Sequence, residues 1–155
     1  MSSPTTGLLS TVVASLEEHG TTYHLLEDGC LCFQIAWDRG THQFLVSTNE
    51  ELELVTCVVT VGPRVPDDRR LAAAEAVTRI NSKIGVGHFE LDFDDGELKF
   101  RLTIDVDGGL LTARVVDCMV QGGLWACERY VGALMAVAFG SDEPVLAVAA
   151  ADADA

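Results

Sequence analysis

The residues of this sequence that could bind a metal ion or act as nucleophiles are mainly its five cysteines and four histidines. Cys30 and Cys32 would share one face of a strand, but no second cysteine pair with zinc-binding spacing accompanies them. Cys118 and Cys127 lie nine residues apart, so a helix would place them on opposite sides. We interpret the cysteines as small hydrophobic residues of a reduced, cytoplasmic protein.

The histidines and acidic residues form no catalytic pattern either. The histidines are scattered, without the His-x-x-x-His spacing of a zinc enzyme: His19, His24, His42 and His88. His88, Glu90 and Asp92 share one predicted strand face, where they could bind a cation. The basic residues Lys99 and Arg101 are predicted to lie opposite two of them, as on a salt-bridged surface. We therefore predict no catalytic, metal-binding or cofactor-binding residues, and a protein that is not an enzyme.

Composition restricts the class of partner. The chain has 155 residues, of which 48% are hydrophobic, so it is long and apolar enough to bury a core. Its net charge is −14, which argues against direct binding to nucleic-acid phosphates or anionic membranes. The apolar stretch 110–139 is interrupted by charged residues and is therefore predicted to be a buried helix instead of a membrane span.

The periodicity of the apolar residues predicts the elements that must position any site. Helical spacing predicts helices over residues 6–19, 67–82 and 112–139. Alternating patterns predict three or four strands in a meander over residues 22–61 and a hairpin over residues 88–107. The expected order is α-β-β-β(-β)-α-β-β-α. This is an α+β fold in which an antiparallel sheet, meander plus hairpin, packs with three helices.

The hairpin is the most strongly specified of these elements. The dipeptide Asp-Gly at residues 95–96 is typical of a two-residue type I′ turn. Such a turn would pair Phe93 with Leu98. Continuing outward, it would pair Leu91 with Phe100, so that apolar pairs share one face and charged pairs the other.

Two regions carry further predictions about organisation. The adjacent glycines Gly122 and Gly123 lie inside the third predicted helix and indicate a kink or a close packing contact there. Residues 141–155 are acidic and rich in alanine, and we predict a flexible tail. The chain is thus expected to consist of a single α+β domain over residues 1–140, followed by this tail.

A small set of residues is the best candidate for a partner or dimer interface. Trp125 and Tyr130 differ by five residues, so they diverge by about 140° on a helix and one could face the core while the other reaches a surface. For both aromatic residues, core packing and a partner contact stay open. The second helix adds a stripe of small apolar residues that would allow close approach of another element: Ala73, Ala76, Val77 and Ile80.

Four stretches of sequence resemble a known family. They are residues 65–70 (VPDDRR), 79–81 (RIN), 87–92 (GHFELD) and 95–101 (DGELKFR). These motifs resemble those of the YbjN family of bacterial sensory transduction regulators, over about residues 21–139. The family is similar in fold to the class I type III secretion chaperones. The resemblance implies a small acidic homodimer that binds an extended or partly unfolded segment of another protein.

Two hypotheses for the function follow. The first is a non-enzymatic protein-binding module, chaperone-like or regulatory, whose negative charge favours basic client proteins such as nucleic-acid-binding proteins. The alternative is a small-molecule-binding sensor or enzyme with a pocket between the sheet and the helices. The first predicts a closed core with an exposed apolar groove, and the second predicts a pocket lined by residues with perturbed pKa values.

Overall fold

The computed structural model describes residues 7–107 and 110–154. The predicted order of helices and strands is confirmed, with four strands before the second helix and one additional helix at the end. The helices are α1 (Leu8–Glu18), α2 (Arg70–Asn81), which a 3-10 turn (Asp67–Arg69) precedes, α3 (Ala113–Phe139) and α4 (Pro144–Ala153). The strands are β1 (Tyr23–Leu25), β2 (Leu31–Trp37), β3 (Gly40–Asn49), β4 (Leu54–Thr60), β5 (His88–Leu91) and β6 (Leu98–Asp105).

The six strands form one antiparallel sheet in the order β1-β2-β3-β4-β6-β5. One face of the sheet is buried, because the alternate side chains on it are apolar on the central strands, apart from His42 and Thr48 of β3. A row of paired residues crosses this face: Phe33, Phe44, Val59, Phe100 and Phe89. The helices pack on this face, which makes the core a two-layer arrangement of helices on a sheet.

Helix α3 lies against the centre of the sheet, and Gly123 explains how it comes so close. A Cβ atom at Gly123 would lie 3.0 Å from Cγ2 of Val59 and 3.3 Å from Cε1 of Phe44. The predicted close packing contact is therefore present. Within the described residues, no helix is long and apolar enough to cross a membrane.

The predicted pairing of the β5–β6 hairpin is wrong by two residues. Leu91 pairs with Leu98, not with Phe100, and residues 92–97 form the loop. The carboxylate of Asp92 accepts a hydrogen bond from the Asp94 N–H at 2.8 Å, which closes the loop locally. The Val65 N–H donates to the Gly96 carbonyl at 2.8 Å, which ties the loop to a distant segment. Because the shift is two residues, the side chains of β5 and β6 keep their predicted faces, whereas Phe93, predicted to pair with Leu98, lies in the loop and is half exposed.

The structure also differs from the prediction of a flexible tail. Residues Pro144–Ala153 form helix α4, which packs on α2 and α3. Ala147 and Val148 are buried, and the carboxylate of Asp152 bonds the ammonium group of Lys83 and the hydroxyl of Tyr130. The helix therefore depends on contacts with distant residues, which composition alone does not show.

Candidate partner-binding site

Five of the six residues predicted for an interface lie in the core of the single chain. Ala73, Ala76 and Ile80 have no exposed surface, and Val77 and Tyr130 are buried as well. The small residues of α2 allow the close approach of α3 and α4, which belong to the same chain. Trp125 is the remaining residue, and 52% of it is exposed.

The structure brings Trp125 next to the other tryptophan of the chain, Trp37, of which 56% is exposed. Trp37 ends β2, and Trp125 lies on α3. Together with Gln121, Leu124 and Glu128 they line a groove of about 190 Å³, which we name the tryptophan groove. Tryptophan is enriched among the residues that dominate binding at protein interfaces. Trp37 was not among the predicted interface residues, because only the tertiary structure places it beside α3.

Glu128 holds the two sides of the tryptophan groove together. Its carboxylate accepts the Arg39 backbone N–H at 3.1 Å and lies 2.6 Å from Nε2 of His42, a buried residue of β3. These bonds attach the turn after Trp37 to helix α3. The guanidinium of Arg129 lies 5.5 Å from the centre of the Trp125 ring, in cation–π geometry.

The edge of the sheet beside this groove is partly open. Strand β1 pairs only with residues 31–33 of β2, so the second half of β2 has no partner strand on that side among the described residues. Alternation in an antiparallel pair directs the backbone N–H and C=O groups of Gln34 and Ala36 toward this edge. A surface groove of about 590 Å³ runs along the edge, between β2 and residues 20–24. We name residues 34–37 the free edge.

The opposite edge of the sheet is blocked at Phe89. The side chain of Asn81, at the end of α2, accepts the Phe89 N–H at 2.8 Å and donates to the Phe89 carbonyl at 2.9 Å. These two hydrogen bonds occupy the outward backbone groups of Phe89, which an added strand would otherwise use. The two edges of the sheet therefore differ: Asn81 occupies the outward backbone groups of Phe89 in β5, whereas residues 34–37 of β2 pair with β3 alone among the described residues.

A family model described as "Putative bacterial sensory transduction regulator", named YbjN, matches residues 9–135. The chain belongs to the YbjN family. Among curated proteins, none matches this sequence.

Solved structures share the fold. YbjN from E. coli has a TM-score of 0.60 at 13% identity, covering 83% of this chain and 89% of that chain. A chain of the HopA1–SchA chaperone–effector complex has a TM-score of 0.51 at 15% identity, covering 76% and 88%. A chain of the ExsC–ExsE complex has a TM-score of 0.51 at 19% identity, covering 81% and 94%. The predicted similarity to type III secretion chaperones is thus confirmed at the level of the fold.

The motifs that resemble the YbjN family have structural roles here. Asn81 closes the β5 edge. The guanidinium of Arg69 donates to the Val137 carbonyl at 2.6 and 2.9 Å, which joins the start of α2 to the end of α3. The guanidinium of Arg70 donates to the Phe93 carbonyl at 2.7 Å and so supports the hairpin loop. These side chains bond backbone groups of their own chain.

The chemistry-bearing residues do not converge in the described part of the chain. Burial raises the pKa of both the Cys57 and Cys127 thiols to about 12, so these cysteines are unreactive core residues. Cys118 is exposed on α3. Among the described residues, no three His, Cys, Asp or Glu side chains are grouped so that they could hold a metal ion.

Proposed function

We propose that this chain is a non-enzymatic protein-binding module, chaperone-like or regulatory, that acts in the cytoplasm. In this proposal an extended segment of a partner protein pairs with the free edge of β2, and its side chains enter the tryptophan groove. The observation that carries the proposal is the contrast between the two edges of the sheet. Asn81 closes one edge, and the other presents the backbone groups of Gln34 and Ala36 beside two half-exposed tryptophans.

The proposal includes the charge of the partner and the oligomeric state. The net charge of −14 favours basic client proteins, such as nucleic-acid-binding proteins, through electrostatic attraction. The module is proposed to act as a homodimer. A small-molecule sensor or enzyme has less support, because the cavity between β2, α1 and α3 has a volume of only about 90 Å³, and the larger groove of about 590 Å³ runs along the sheet edge.

A substitution at the free edge tests the proposal. The Ala36 N–H is directed away from β3, so Ala36→Pro removes a donor needed by an added strand while the β2–β3 pairing is kept. Tagged wild-type and variant proteins are used to capture partners from an extract of the source organism, at low and moderate salt. We expect a protein partner that binds wild type, dissociates with added salt and is lost with Ala36→Pro.

Ala36→Thr is the matched control, since it changes the side chain and keeps the N–H. It should capture the partner as wild type does. Circular dichroism is used to check that both variants are folded. Equal capture by folded Ala36→Pro and by wild type would refute binding at this edge.

A further inference from the structure

The face of the sheet that the helices do not cover has no charged side chains on three of its strands. On β2, β3 and β4, all of which the structure describes, none of the outward side chains is charged. They are Cys32, Gln34, Ala36, Thr41, Gln43, Leu45, Ser47, Asn49, Leu54, Thr56, Val58 and Thr60. We name this surface the open sheet face. The whole chain carries 10 basic and 24 acidic residues, so its acidic surface lies elsewhere.

The open sheet face has an apolar centre and a neutral border. Cys32, Leu45 and Val58 form one cross-strand row, and each of them is partly exposed. Hydroxyl and amide side chains lie on both sides of this row.

On the neighbouring strands two pairs of opposite charges lie on this face, and Asp105 of β6, opposite Leu54, forms no ion pair with a described residue. The ammonium of Lys99 lies 2.9 Å from the carboxylate of Glu97, and the guanidinium of Arg101 lies 2.8 Å from that of Glu90. The two pairs cancel, so the neighbouring strands add one negative charge to the face, that of Asp105 beside Leu54.

We propose that the open sheet face binds a second copy of this chain, with the two sheets packed face to face. This inference rests on the homodimer of the proposed function and gives that dimer an interface. Two copies with a charge of −14 each repel one another wherever their acidic surfaces meet. On the open sheet face they can pack without burying an unpaired charge. A basic client, by contrast, would have no carboxylate to pair with on β2, β3 or β4 of this face.

The small apolar residues of α2 cannot form the dimer interface in the folded chain. Ala73, Ala76 and Ile80 are fully buried under neighbouring elements. A dimer interface must be accessible in the monomer, and the open sheet face meets this requirement. Sheets that pack face to face lie about 10 Å apart, a distance that side chains of the size of leucine, valine and glutamine fill.

Sedimentation equilibrium of the full chain tests the inference with glutamine-to-glutamate substitutions, which add a charge and keep the shape. Gln34 and Gln43 are exposed and paired with each other on the open sheet face. The double variant Gln34→Glu/Gln43→Glu is expected to weaken self-association by roughly tenfold or more, because like charges then meet across the interface. Gln121→Glu adds the same kind of charge to the exposed surface of α3 and is expected to change self-association much less.

Salt distinguishes this inference from client binding. Added NaCl screens the repulsion between two acidic copies, so it should strengthen self-association, whereas it should weaken the capture of a basic client. The inference is overturned if the protein stays monomeric at high concentration in both low and high salt. It is also overturned if the double variant associates as wild type does. A monomer that still captures its client would overturn the dimer and leave the proposed binding of a client at the free edge intact.

Thiol labelling gives a second measurement that does not depend on a variant. Cys32 lies on the open sheet face, and Cys118 is exposed on α3 outside it. Alkylation of Cys32 by iodoacetamide should slow as the protein concentration rises, while alkylation of Cys118 should not. Equal rates for Cys32 in dilute and concentrated protein would contradict the proposed interface.

Discussion

At the scale of single residues, several polar side chains take the place of backbone partners. Glu128 accepts an N–H from the turn after β2, Asn81 bonds both backbone groups of Phe89, and Arg70 donates to carbonyls of the hairpin loop. A buried or half-buried backbone group costs free energy when it has no partner. Each of these side chains therefore stabilises a particular junction between elements.

Glu128→Ala should destabilise the protein by about 1.5–3 kcal/mol, the usual range for hydrogen bonds to charged groups. The substitution removes the acceptor of the Arg39 N–H and leaves the buried imidazole of His42 without its partner. Glu128→Gln keeps one acceptor oxygen and should cost less. The free energy of unfolding in urea measures both effects. Glu51→Ala, at an exposed position, is the control, and a cost no larger than that of Glu51→Ala would contradict the role of Glu128.

Asn81→Ala should lower the free energy of unfolding, measured in urea, by about 1–3 kcal/mol, since it leaves two backbone groups of β5 without their partners. It also opens the edge that Asn81 closes, so light scattering should show more aggregation than in wild type. Asn81→Asp keeps the acceptor but loses the donor to the Phe89 carbonyl, and it should not restore stability. If Asn81→Asp behaves as wild type, the two-bond closure of this edge is refuted.

At the scale of elements, the hairpin loop and helix α4 both depend on contacts with segments distant in sequence. The loop of residues 92–97 meets Val65, and α4 meets α2 and α3. The local sequence of the hairpin loop favours a tight two-residue turn, and the local composition of residues 141–155 favours a solvated segment. The contacts that decide the outcome become available only when the core assembles.

Gly96→Ala should destabilise the protein by more than about 2 kcal/mol, because two effects add. Gly96 has a φ of +79°, and a Cβ there would lie 2.2 Å from the Val65 carbonyl oxygen. Gly29→Ala is the matched control: Gly29 has a φ of +80°, with open space around its position. It should show only the backbone strain, about 1–2 kcal/mol. Equal costs in thermal or urea unfolding would show that the contact with Val65 contributes nothing.

The docking of α4 should depend on pH. The hydrogen bond from Lys83, with that from the Tyr130 hydroxyl, holds the pKa of Asp152 below its ordinary value of 3.8. A lowered pKa in the folded state means that ionised Asp152 stabilises the fold above the ordinary aspartate range. This contribution is lost as the pH falls through the folded-state pKa. NMR chemical shifts of α4 amides, followed from neutral pH to about pH 2.5, should report loosening of the helix in this range.

Asp152→Asn should loosen α4 already at neutral pH and remove this part of the pH dependence. Asp154→Asn, at an exposed position near the end of the helix, should do neither. If the two variants give the same α4 shifts, Asp152 is not the anchor of the helix.

At the scale of the whole molecule, the dominant property is the negative charge. With 24 acidic and 10 basic residues, the folded chain holds like charges closer together than the unfolded chain does. NaCl added between about 0.01 and 0.5 M should therefore raise the free energy of unfolding, by on the order of 1 kcal/mol. The double variant Glu27→Gln/Glu51→Gln, at exposed positions, should reduce this salt dependence. Stability that falls with added salt would show that the ion pairs outweigh the repulsion.

Much of the fold could be predicted from the sequence because it depends on local patterns. The limits of α3 agree closely with the predicted range, since Thr112 caps its first turn and Gly140 ends it. The sequence also predicted correctly which side chains of β5 and β6 lie on the buried face of the sheet. Alternation along a strand decides this, and a shift of two residues in the pairing does not change it. These features depend on neighbours within a few residues, which the sequence displays directly.

The sequence by itself determined the α+β class, the order of the elements up to α3, the acidic charge and the family motifs. Only the tertiary structure decided the register of the last hairpin, the docking of α4, the burial of the α2 stripe and the placement of Trp37 and Trp125 in one groove. The physical reason is that each of these depends on contacts between residues far apart in sequence. Such contacts form from the packing of whole elements, and no local pattern specifies which surfaces meet.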